Sequence, residues 1–97
     1  MRKTDRKYDN AIREALTELC EQTMKQIDGF EWLTHEVNYQ RFPQSLMISL
    51  MFSDRQKIAD FKNSDEYNTV LRAIQSRLSA AGISLKNIAN HVQLNTA

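Results

Sequence analysis

The side chains of this sequence best equipped for chemistry are Cys20, a thiol able to attack an electrophile, and His35, an imidazole able to take its proton. Cys20 lies beside a helical apolar stripe, where a free cysteine behaves as a small hydrophobe. His35 alternates with Leu33 and Val37 along a strand-like run, so a sheet-edge or satisfied core histidine is expected. A metal centre needs several converging imidazole, thiolate or carboxylate ligands, and two histidines with one cysteine fall short of that. The two glycines, Gly29 and Gly82, belong to no phosphate-cradling loop. The carboxylates are scattered along helix exteriors and not paired in an apolar setting. The residues therefore point to a protein without catalytic activity, metal, cofactor or small-molecule substrate.

Two other groups carry more information. Arg2, Lys3, Arg6, Lys7 and Arg13 crowd the first thirteen residues, where five cations meet only Asp5 and Asp9, a net of +3. On a helix they form a ridge opposite the Ile12–Leu16–Leu19 stripe. Cations at a helix N-terminus oppose the macrodipole, so they do not stabilise the helix itself. The ridge is suited to phosphate contacts and to salt-dependent RNA or ribosome binding, against the plainer expectation of a solvated helix start with intrahelical ion pairs. The second group is Trp32, Thr34, Met47 and Met51. In "SLMISLMFS" the even positions Leu46, Ile48, Leu50 and Phe52 form one buried strand face, which leaves Met47 and Met51 on the other. A tryptophan grouped with two methionines on one sheet face marks a partner surface. Burying the three would contribute on the order of 5–7 kcal/mol. Association costs several kcal/mol, which favours a two-fold contact using the patch twice, hence a homodimer or a docked protein partner.

The elements that must hold these groups follow from periodicity. Apolar positions at steps of three and four predict a helix from about Thr4 to Ile27, stopped by Asp28-Gly29. "EWLTHEVNYQ" switches to period two, "RFPQ" breaks it, and Ser45–Phe52 is a second strand, giving an antiparallel hairpin with a four-residue connection. Phe42-Pro43 at its tip is either a recognition wedge or an aromatic packed back on a helix end. Ser53 and Gln56 have capping-box spacing before a short helix, and Asn63 and Glu66 repeat it before a longer one that ends at Gly82. A last strand is expected near His91–Asn95. The order is α-β-β-α-α-β, an α+β fold with helices on one face of a small three-stranded sheet. Its core face would be Leu33, Val37, Leu46, Ile48, Leu50, Phe52, Val92 and Leu94.

Ninety-seven residues suit one domain, spanning 1–97. Thirteen basic residues against twelve acidic ones exclude a strong global field. One cysteine cannot form an internal disulfide, and no apolar run approaches a membrane span or a signal-peptide core. A cytoplasmic location is expected.

The α-β-β-α-α-β order, opened by a basic helix, resembles the type II KH arrangement and, within it, ribosome-binding factor A. That resemblance implies RNA or ribosome binding around a glycine-containing junction between the consecutive helices. Here the junction reads "FKNSD" (Phe61–Asp65), without glycine, so no functional residue is carried over from it. The segments "MRKTD", "GFEWLTHEVNYQRFP" and "SL" also look like a family of short marine gammaproteobacterial proteins, some of them called Fis-type transcriptional regulators. Fis-type DNA recognition needs two short helices about a tight turn, whereas the helix after Ser64 is followed by strand-like sequence.

Overall fold

In a computed structural model, which describes residues 3–96, the first apolar stripe winds into α1 (Lys3–Gln22). Its inward face buries Ile12, Ala15, Leu16 and Leu19. The helix ends at Gln22, earlier than its periodicity predicts, and a single 3-10 turn (Met24–Gln26) follows. Residues three apart eclipse in a 3-10 turn, and this tightening aims both Met24 and Ile27 into the core.

Gly29, at φ +83°, then reverses the chain into β1 (Phe30–Glu36), which pairs antiparallel with β2 (Met47–Phe52). The connection spans residues 37–46 and is not the four-residue link expected from the sequence. Local hydrogen bonds take the place of further ladder pairs. Asn38 Oδ1 accepts from the Gln40 amide (3.0 Å) at the head of a 3-10 turn (Tyr39–Arg41). Ser45 Oγ closes the neck, donating to the Asn38 carbonyl (2.7 Å) and accepting from its amide (2.9 Å). Phe42 packs back on α1, its ring centroid 4.8 Å from that of Tyr8 and 5.6 Å from that of Tyr39.

The short helix α2 (Arg55–Lys62) is capped by Asp54, whose carboxylate accepts from the Lys57 amide (2.9 Å), and not by Ser53. Asp54 stands one residue nearer the first helical turn, and its charge suits a helix N-terminus better than a hydroxyl does. Ser64, not Asn63, occupies the cap position of α3 (Asp65–Ala80), and its hydroxyl donates to the Phe61 carbonyl (2.7 Å). Gly82 (φ +85°) ends α3, with the Ile83 amide reaching back to the Leu78 carbonyl at 2.8 Å, a Schellman closure.

β3 (Val92–Thr96) runs parallel to β2, so the sheet is mixed, in the order β1-β2-β3 with β2 central. The architecture is α+β in the expected order, with the helices on one face. Ile48, Leu50 and Phe52 of β2 are fully buried and meet Ile12, Leu19, Ile74 and Leu78 in one core. Ile83 and Leu85, in the segment the periodicities read as loop, are also buried there. Among the described residues, no helix is long and apolar enough to cross a membrane.

Candidate functional site

Register decides which side chains share the face turned away from the helices. Trp32 stands opposite Met51, Thr34 opposite Ser49 and Glu36 opposite Met47. On the other side of β2, Gln93 stands beside Ser49 and Asn95 beside Met51. Strand alternation places all of these on the face opposite Leu33, Ile48, Leu50, Phe52, Val92 and Leu94. Trp32, Met47 and Met51 belong neither to the core nor to the layer of partly buried apolar residues packed on it. Trp32 is 50% exposed, the sole exposed large hydrophobic side chain among the described residues. Met47 and Met51 are half-buried.

At the centre of this face Ser49 is buried, and its hydroxyl accepts from Gln93 Nε2 at 2.7 Å. The Gln93 and Asn95 contributions were not anticipated. The alternation around Val92 and Leu94 implied them, but only a parallel β2–β3 pairing sets them beside Ser49 and Met51. A Ser–Gln bond occupies the middle and thioethers flank it above and below, so the face is soft, nearly uncharged and able to adapt to an apolar partner.

The basic ridge lies elsewhere. Lys3, Arg6 and Lys7 are exposed on the first turns of α1 and make no ion pair among the described residues. Arg2 lies outside the described residues. Arg13 departs from the ridge: its Nε pairs with Asp9 Oδ2 at 3.0 Å, one turn back along the helix.

Asp9 is the hub of a polar cluster between α1 and β1. Its Oδ1 accepts from the Tyr39 hydroxyl (3.0 Å) and lies 3.3 Å from His35 Nε2. Burial alone would push the Asp9 carboxyl up. The bonds from Tyr39 and His35, with the charge of Arg13, outweigh burial and hold it below the usual carboxylate range. Burial, reinforced by the bond to Asp9 and its charge, pushes the Tyr39 phenol up to about 12. The cluster closes one end of an open groove of about 740 Å³ between α1 and the outer edge of β1. Its floor is apolar, formed by Leu16, Cys20, Leu33 and Val37.

Cys20 and His35 both line this groove, but the arrangement does not activate the thiol. Burial, then the charge of Glu21, raises the Cys20 pKa, and His35 is engaged with Asp9. His91 is likewise occupied, its Nδ1 lying 2.8 Å from the Leu46 carbonyl oxygen. No group of three or more potential metal ligands converges among the described residues.

Comparison with family models, curated proteins and solved structures finds no match for this chain. The α2–α3 junction, where the type II KH resemblance would place a nucleic-acid clamp, is closed on itself. The Ser64 amide and hydroxyl both donate to the Phe61 carbonyl, and the Asn63 amide donates to Ala59. Its acidic neighbours Asp60, Asp65 and Glu66 outnumber Lys62, the opposite of a phosphate cradle.

Proposed function

We propose that this chain is a small cytoplasmic, non-enzymatic interaction module that pairs with a second copy of itself through the open sheet face. The observation that carries the reading is Trp32, half exposed beside Met51 on a face that none of the helices contributes to. Glu36 is the one formal charge among the paired residues of that face, so two copies meet without an array of like charges. Thr34, Ser49, Gln93 and Asn95 supply uncharged donors and acceptors able to bond across a two-fold axis.

Area sets the strength. With strands ~4.8 Å apart and ~3.3 Å per residue, the face spans roughly 14 by 17 Å. With side-chain relief that is about 400 Å² per copy, and a total near 800 Å² is small for a stable complex. The dimer is therefore weak, with Kd between about 10 µM and 1 mM. Trp32 is the only tryptophan, so its emission reports the contact directly. Emission should move to the red on dilution from about 1 mM to 1 µM, and a Met47→Glu, Met51→Glu double variant should emit at the red limit throughout. A wild-type spectrum independent of concentration overturns the reading.

A second reading rests on Lys3, Arg6 and Lys7, whose exposed charges, without an ion pair among the described residues, suit an RNA or ribosomal phosphate backbone. It uses the far end of α1 and does not compete with the sheet face for residues.

A further inference from the structure

The outer edge of β1 is a strand edge with a groove built beside it. β1 ends the sheet on its side, so its outward amides and carbonyls have no ladder partner among the described residues. Beside them the α1–β1 groove is lined by the apolar side chains of Leu16, Cys20, Leu33 and Val37. The charge around it is one-sided. Arg13 is the one lysine or arginine lining the groove, and it pairs with Asp9. Glu21 lines the groove, and Glu31 and Glu36 stand exposed on the edge strand outside its lining, three carboxylates that an added strand would meet.

Those charges decide what can bind. A second β1 added edge to edge would bring another Glu31 and Glu36 into the same short ladder, and like charges there repel. Their negative charge also repels a nucleic-acid backbone. They attract a cationic strand, and Glu31 and Glu36 stand roughly 17 Å apart along an extended chain. We infer that the α1–β1 groove binds an extended, cationic segment of a partner protein as a fourth strand on β1. Alternate apolar side chains of the segment fill the groove, and its lysines or arginines meet Glu31 and Glu36. This is strand addition, in which main-chain bonds hold the peptide and the groove and charges select it.

The site meets the open face at Thr34 and Glu36, so the proposed dimer is read separately, from the mass of the protein without peptide. The probe is a displayed library of random peptides about a dozen residues long, selected on the intact protein. Enriched sequences are expected to alternate apolar residues between two cationic positions four to six residues apart, without internal proline. The best of them, made synthetically, should slow amide exchange at Trp32–Glu36 and shift resonances of Leu16 and Cys20. Glu31→Lys with Glu36→Lys should weaken it about tenfold or more, and a peptide with its cations replaced by glutamate should bind that variant instead. An absence of enriched sequences, binding indifferent to the charge reversal, or protection away from β1 would each overturn the inference.

Discussion

Asp9 gathers three partners from two separate parts of the chain, and its titration is the clearest residue-level consequence of the fold. Its native pKa lies below the usual value, so at a pH between the two the unfolded chain binds more protons than the native one. Stability from this group is thus complete above about pH 5 and is lost as pH falls through the native pKa. Tyr39 works in the opposite sense: with its native pKa raised to about 12, its contribution is complete below about pH 10 and is lost as pH rises through the native value. Asp9→Asn should therefore flatten the acid limb of a stability–pH profile, and Tyr39→Phe should cost about 1–2 kcal/mol near neutrality by removing a bond to a charged acceptor. Urea unfolding at a series of pH values measures both. Little of this cluster was legible in the sequence. Asp9 and Tyr39 are thirty positions apart, and only the long connection after β1, with its own 3-10 turn, brings the phenol back to α1. The two residues grouped for nucleophilic chemistry, Cys20 and His35, do share the groove, because helical and strand alternation both aimed them toward it.

At the scale of elements, glycines mark where the chain has no alternative. Both Gly29 and Gly82 sit at positive φ, yet their surroundings differ. A Cβ on Gly29 would fall 2.5 Å from Lys57 Cβ and Cγ, on the α2 turn whose Nζ pairs with Asp28 at 2.6 Å. A Cβ on Gly82 meets nothing within 4 Å. Gly29→Ala should accordingly destabilise by about 2–3 kcal/mol, backbone strain and collision together, and Gly82→Ala by about 1 kcal/mol from strain alone. Thermal unfolding of the pair separates the two contributions. The stop at Gly82 was readable, as were the order of elements and the faces of the strands, because period-two and period-3.6 patterns survive in a chain this regular, whereas α1 ends at Gln22, ahead of the expected stop at Asp28-Gly29. Boundaries were less so. α1 gives way to a 3-10 turn because Met24 and Ile27 both require burial. The hairpin connection lengthens because Asn38, Ser45 and Phe42 find local partners, interactions that periodicity does not encode.

For the whole molecule, the sheet is screened on one side only. Ile48, Leu50 and Phe52 face the helices, and Met47, Ser49 and Met51 face outward with Trp32 beside them. A cluster of exposed cations lies apart from that face, on the first turns of α1. If Lys3, Arg6 and Lys7 contact phosphates, binding to mixed cellular RNA should fall steeply between 50 and 200 mM salt. Replacing all three by glutamine should reduce the logarithmic salt slope by about 2–3, read in a filter-binding titration, and an unchanged slope would remove the ridge from any phosphate contact. The open face makes the larger claim, that this molecule is half of an assembly. Sedimentation equilibrium from about 10 µM to 1 mM tests it most directly. The weight-average mass should climb from 11.3 kDa toward twice that value, and Met47→Glu with Met51→Glu should hold a folded protein at the lower figure. A wild-type mass that stays at 11.3 kDa across the whole range would contradict the account.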